Sequence, residues 1–147
     1  MRQLEIKNDV LIIDDGQNCW NAELGAIDIV CTDGYVINLK FCNGKQAFLH
    51  PDYPDTRDEF NKLVEMLTSY NNFYQCDGYV VINLENLDEI SIDETKTHWG
   101  YYNLDMIFGQ MKGGIASKNL EGLKQTKEEI LNVKQNYDNI MMNTMGE

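Results

Sequence analysis

Residues 26–50 read AIDIVCTDGYVINLKFCNGKQAFLH, and the reading of this stretch decides the fold class. Asp33-Gly34 and Asn43-Gly44 favour the positive backbone dihedrals of tight hairpin turns, and they divide the segment into strands at Ala26–Cys31, Tyr35–Phe41 and Gln46–His50. In the middle strand Tyr35, Ile37, Leu39 and Phe41 share one face, while Asn38 and Lys40 point to the other. The pattern predicts an antiparallel meander with one face in water.

Working towards the carboxy terminus, Pro51 and Pro54 end the meander. Asp55 or Thr56 can cap a helix whose apolar positions Phe60, Leu63, Val64 and Leu67 recur at helical spacing and cover one sheet face. Strands follow at Asn72–Cys76, at Tyr79–Asn83 after an Asp77-Gly78 turn, and at Leu87–Ile92. Tyr101–Phe108 and Gly113–Ala116 form a further hairpin around Gly109-Gln110-Met111-Lys112. Ser117 can cap a closing helix from Lys118, with Leu120, Leu123, Ile130, Val133 and Tyr137 as its apolar stripe. Towards the amino terminus, Gln3–Ile6 and Val10–Ile13 read as a hairpin. Strands and helices do not alternate regularly, which disfavours a parallel doubly wound sheet. The expected class is α+β, mostly antiparallel, with one central helix and a carboxy-terminal helix.

The 147 residues suit one folding unit, and an apolar fraction of 43% is that of an ordinary globular chain. No apolar run is long enough to span a membrane and the first residues lack a secretory pattern, so a cytoplasmic location is expected. Cys19, Cys31, Cys42 and Cys76 show no chelating or redox spacing and read as buried thiols. Twelve Lys plus Arg against 24 Asp plus Glu give a net charge of −12, spread along the chain. Such a field repels polyanions at long range and favours basic partners, although a local cationic patch still binds phosphate within a Debye length.

Val10-Leu11-Ile12-Ile13-Asp14-Asp15 could be the first strand and acidic pair of a phosphorylated receiver domain. The next strand begins too soon after Asp15 for that doubly wound fold, and a strand ending in a solvated carboxylate pair is the better reading. His50 and His98 stand on separate segments without a helical partner, which is no metal signature. Glycine-rich phosphate loops, dinucleotide fingerprints and nucleophile elbows are all missing. Paired carboxylates are numerous enough for glycoside-type chemistry, but no catalytic constellation accompanies them, and neither an enzyme nor a cofactor is expected. The aromatic clusters Trp99-Gly100-Tyr101-Tyr102 and Tyr70-Asn71-Asn72-Phe73-Tyr74 are either core strands or a stacking or protein-binding surface, with core the commoner outcome.

Ile27–Cys31 with Gly34–Leu39 resembles the opening strands of a LytTR domain. The sequel keeps that family's order: a third strand ending at His50, the helix with Phe60, Leu63 and Leu67, and then Phe73-Tyr74-Gln75-Cys76-Asp77-Gly78-Tyr79-Val80-Val81-Ile82-Asn83-Leu84. That run resembles the family's two aromatics, polar turn and apolar strand ending in Asn, and residues 115–120 resemble its closing turn. The resemblance covers residues 26–124, with an amino-terminal hairpin extension at 1–25 and a carboxy-terminal helical extension at 125–147.

The resemblance implies a DNA-binding domain of bacterial transcriptional regulators, reading successive major grooves through loops. Carried over by position, the DNA contacts would be His50, then Gln75, Asp77 and Gly78, then Ser117, Lys118 and Asn119. The central turn departs from the family pattern, which supplies Arg, His or Asn where this chain has Gln75, Asp77 and Gly78. A carboxylate there faces phosphate with the wrong charge, although it can accept a hydrogen bond from cytosine. Two functions therefore compete: a regulator holding double-stranded DNA, and an acidic protein-binding module on the same scaffold, acting as antirepressor, DNA decoy or inhibitor of a basic partner. Ile140, Met141 and Met142 extend the closing stripe, which either packs on the sheet or forms a homodimer seam.

Overall fold

The computed structural model describes residues 3–52 and 54–145. The chain divides into two compact units, the first ending at Asn83 and the second beginning at Leu84. All strand pairs in the described residues are antiparallel, and with the two helices the class is α+β as expected.

In the first unit, β1 (Gln3–Lys7), β2 (Val10–Asp14) and β3 (Cys19–Glu23) form one sheet in that order. Asn8 and Asp9 turn the first hairpin at φ 53° and 61°, left-handed values that Asn and Asp tolerate. The amino-terminal segment is thus three strands where the sequence predicts two. Cys-Trp-Asn-Ala-Glu carries a weak strand signal of its own, and its pairing with the apolar β2 decides its state.

A second sheet joins β4 (Ile27–Thr32), β5 (Ile37–Phe41), β6 (Gln46–Leu49), β7 (Phe73–Asp77) and β8 (Val80–Asn83) in the order β6-β5-β4-β8-β7. Gly34 and Gly44 take φ 97° and 83°, as their turn signals require. Helix α1 (Thr56–Thr68) buries Phe60, Leu63, Val64 and Leu67 against a core shared by the two sheets, with Leu11, Ile13, Ile37, Leu39, Leu49 and Val81. Each such side chain contributes about 1.5–3 kcal/mol on leaving water. Tyr35 departs from its predicted apolar face and is 63% exposed, because it belongs to the turn before β5. Asp55 occupies the cap position of α1 without a side-chain capping bond, and the Thr56 hydroxyl donates instead to the Tyr35 carbonyl at 3.1 Å.

In the second unit, β9 (Glu89–Asp93), β10 (Tyr102–Phe108) and β11 (Met111–Ser117) form a sheet in the order β11-β10-β9. Phe108 pairs with Met111, so the hairpin loop is Gly109-Gln110 alone and Met111 is buried in the strand. Helix α2 (Leu120–Met145) packs Leu123, Ile130 and Tyr137, spaced seven apart, as its buried stripe. The Lys134 ammonium donates to the Leu84 carbonyl at 2.6 Å and pairs with Asp138 at 3.2 Å, tying the helix to the start of the unit. Asn119 caps α2 by accepting from Gly122 N–H at 3.0 Å, whereas Ser117 Oγ accepts only from Asn119 N–H. The helix therefore begins at Leu120, two residues later than a Ser117 cap would start it.

The expectation of four buried thiols fails. Cys19 and Cys42 are exposed and Cys31 and Cys76 are half-buried, since Cys19 lies on the outward side of edge strand β3 and Cys42 in the β5–β6 turn. Among the described residues no helix is long and apolar enough to cross a membrane, and no group of three metal-ligating side chains occurs.

Candidate nucleic-acid interface

The register of the five-stranded sheet brings several loops to one end. Ile37 pairs with both Thr32 and Leu49, Cys31 pairs with Val80, and Val80 pairs with Asp77. His50, the 33–36 turn and the Asp77-Gly78 turn therefore leave the sheet at the same end. Backbone bonds tie them: Thr32 N–H donates to the Tyr79 carbonyl at 3.1 Å, and Thr56 from the start of α1 reaches the Tyr35 carbonyl. His50 follows edge strand β6 and Asp77 ends the opposite edge strand β7, so four inter-strand spacings of about 4.8 Å put them roughly 19 Å apart.

His50 is exposed, and its backbone N–H donates to Asp15 Oδ2 at 3.2 Å. The acidic pair at the end of β2 thus has local work: Asp14 accepts from Gly16 N–H, and Asp15 accepts from Gln17 and Asn18 N–H at 2.8 and 2.7 Å. Partial burial raises the Asp15 pKa, but the three N–H donors and the nearby His50 charge outweigh it and hold the carboxyl below its ordinary range. On the outer sheet face His50 borders a groove of about 460 Å³ with Asn38, Lys40, Gln46 and Phe48. Gln75 is exposed but lies within β7 opposite Val81, on the sheet edge and outside the turn. Asp77 is half-buried and spends one oxygen on Tyr79 N–H at 3.0 Å, which shapes the turn.

The residue that sequence reading missed is Arg57. Its guanidinium stands over the Tyr79 ring at 4.8 Å and the Phe60 ring at 5.6 Å, and Nη2 lies 3.7 Å from where a side chain at Gly78 would begin. Nη1 is buried without a hydrogen-bond partner. The central turn has no cation of its own, and the first turn of α1 supplies one. Nothing in the spacing between 57 and 78 announces this, because the pairing depends on how α1 packs. Exposed Tyr79 and Tyr35 complete the surface, which also carries Asp33, Asp52, Asp55 and Asp58.

In the second unit, Ser117, Lys118 and Asn119 connect β11 to α2. Lys118 Nζ stands 5.3 Å from the Tyr101 ring, and Lys96 Nζ 5.5 Å from the Tyr102 ring. Trp99 is 78% exposed and Tyr101 38%, so this aromatic cluster departs from a core strand and belongs in part to the surface. The expected contact residues thus fall into two groups, His50, Gln75, Asp77 and Gly78 in the first unit and Ser117, Lys118 and Asn119 in the second.

Comparison with known proteins found no matching family model and no matching curated protein. A solved LytTr DNA-binding domain from Bacillus cereus matches with a TM-score of 0.50 at 11% sequence identity, over 85% of this chain and 98% of that one. The fold is LytTR-like: an α+β arrangement of mostly antiparallel strands in three sheets with two helices.

Proposed function

We propose that this chain is a DNA-binding transcriptional regulator of LytTR type, holding duplex DNA through His50 and Arg57 in its first unit and the Ser117–Asn119 turn in its second. The observation that carries the reading is Arg57, seated on Tyr79 beside the Asp77-Gly78 turn, where the resemblance expects a cation and the turn itself has none. The span of roughly 19 Å between the His50 and Asp77 edges suits contacts on both sides of a major groove about 12 Å wide. Gln75 and Asn119 then offer amide groups to base edges, and Asp77 an acceptor for cytosine.

Titration against the chain's own upstream DNA and random DNA, at low and physiological salt, tests this. Specific, salt-sensitive binding that Arg57→Ala weakens by about tenfold supports it, that being the loss for one charge-assisted contact. Undetectable binding at low salt overturns it.

A second reading has its own support, in the carboxylates Asp33, Asp52, Asp55, Asp58 and Asp77 around the same sheet end. On that reading the surface captures a basic protein, and the chain works as antirepressor, DNA decoy or inhibitor. Saturable binding of a lysine-rich peptide, lost when Asp55 and Asp58 become Asn, together with no DNA binding, would select it.

A further inference from the structure

The second unit holds an interruption in the chain's negative charge. From Thr95 to Leu120 there are three lysines, Lys96, Lys112 and Lys118, together with His98, against one carboxylate, Asp105. Lys96 and Lys118 stand against Tyr102 and Tyr101 at one end of the sheet, whereas Lys112, opposite Ile107, lies at the hairpin end. Asn103 pairs with Asp93 and Tyr102 with Ser117, so the loop from β9 to β10 and the turn from β11 to α2 leave the sheet together.

That loop is braced. Thr97 N–H donates to the Tyr101 carbonyl at 2.8 Å, Tyr101 N–H donates to Thr97 Oγ1 at 3.1 Å, and Gly100 N–H donates to the Thr97 carbonyl at 2.9 Å. Gly100 supplies the φ of 83° that closes the turn. The result is a fixed tip presenting Trp99, with the His98 ring edge-on to it at 5.2 Å and an interplanar angle of 80°. Lys118 and Lys96 stand over Tyr101 and Tyr102, which keeps two ammonium groups at the level of the aromatic surface. Nearby, Glu94 is paired with Lys124 at 3.3 Å, and Asp93 accepts from Thr95 N–H at 2.9 Å.

We propose that this end of the β9–β10–β11 sheet binds single-stranded nucleic acid, with an unpaired base stacking on Trp99 and flanking phosphates meeting Lys96 and Lys118. An exposed aromatic face gains most from a base whose own face is free, and a duplex hides those faces in its stack. The two lysines make anionic backbone the complementary partner. The site shares Lys118 with the duplex reading, but Lys96, Trp99 and Tyr101 lie outside the residues assigned there, so Trp99→Ala and Arg57→Ala separate the two.

The test is a fluorescence titration of the full chain with short oligothymidylate and oligouridylate. The chain has two tryptophans, and Trp20 is the less exposed of them, so Trp99→Phe isolates its background. The expected result is saturable quenching that Trp99→Phe abolishes, and an affinity loss of about tenfold to a hundredfold for Trp99→Ala, measured by anisotropy of labelled oligonucleotide. Lys96→Ala should flatten the salt dependence by about 0.7 in log–log slope. Arg57→Ala, which tests the duplex reading, should leave oligonucleotide binding unchanged. Equal single-strand affinity in wild type and Trp99→Ala overturns the proposal. So does quenching by a duplex or by a glutamate-rich peptide without a response to the single strands.

Discussion

At Gly114 a single hydrogen atom decides whether two strands can meet. A Cβ there would stand 2.8 Å from the Leu104 carbonyl oxygen, a backbone atom held by the β10–β11 ladder. Gly114→Ala should cost about 1–3 kcal/mol in urea unfolding, as overpacking does. Gly78→Ala is the contrasting case: its φ is not left-handed and its neighbour, 3.7 Å away, is the flexible end of Arg57. A change within about 0.5 kcal/mol is expected there. Asp15 supplies a pH prediction. Its folded-state pKa is depressed, so its contribution is present above the unfolded value and is lost as pH falls through the folded one. Asp33 behaves likewise through the Val36 and Tyr35 N–H groups. Below about pH 4 the His50 and 33–36 loops should loosen together. Amide exchange at His50 and Val36 would show it, and Asp15→Asn should bring the His50 loosening to neutral pH. At this scale the sequence reading named His50, Asp77 and Lys118 as candidates without showing what surrounds them. Arg57 became visible only when α1 was packed, and Asp15 only when β2 was placed beside the loop after β6.

Among the elements, those with strong periodicity or a turn dipeptide were legible: β4, β5, β6, β8 and α1 follow from alternation, Asp-Gly and Asn-Gly turns, and the Phe60-Leu63-Val64-Leu67 stripe. The elements that went astray are those fixed from outside. β3 is recruited by β2, and the start of α2 is set by which of Ser117 and Asn119 reaches a free N–H first. Asn83 illustrates an element joint that sequence flags without explaining. It is fully buried at the end of β8, donates to the Ile27 carbonyl at 2.9 Å and accepts from Asn72 at 3.1 Å, so it joins β8 to the bulged start of β4 and to the segment before β7. Asn83→Leu strands the Ile27 carbonyl and should destabilise the chain by about 1–3 kcal/mol, read as a shift in the urea midpoint with little change in slope.

For the whole molecule, the net charge of −12 and the cation-bearing surfaces pull in opposite directions. Long-range repulsion slows approach to DNA, and contact begins only where local cations act within a Debye length of about 8–10 Å. Duplex affinity should therefore fall with salt, with a log–log slope of about −2 if Arg57 and Lys118 each displace a counterion. Replacing Arg57 and Lys118 together by Ala should flatten it by about two units. A slope near zero in the same anisotropy series would count against phosphate contact altogether. Composition announced this tension, but it could not say that the loop after β9 and the turn after β11, with Lys96 and Lys118, leave the sheet at the same end, because that is a matter of which strands are neighbours.

A test of whether the carboxy-terminal helix, where Ile140, Met141 and Met142 are exposed, forms a homodimer seam meets a complication in the thiols. Burial pushes Cys76 up to about 12, with Asp77 adding to it, and raises Cys31 as well. Cys19 and Cys42 are exposed at the surface. In air the purified chain should cross-link through those two sulfurs and run at twice its mass. A light-scattering dimer that dissolves on adding dithiothreitol is then a storage artefact of β3 and the β5–β6 turn, and one that survives belongs to α2.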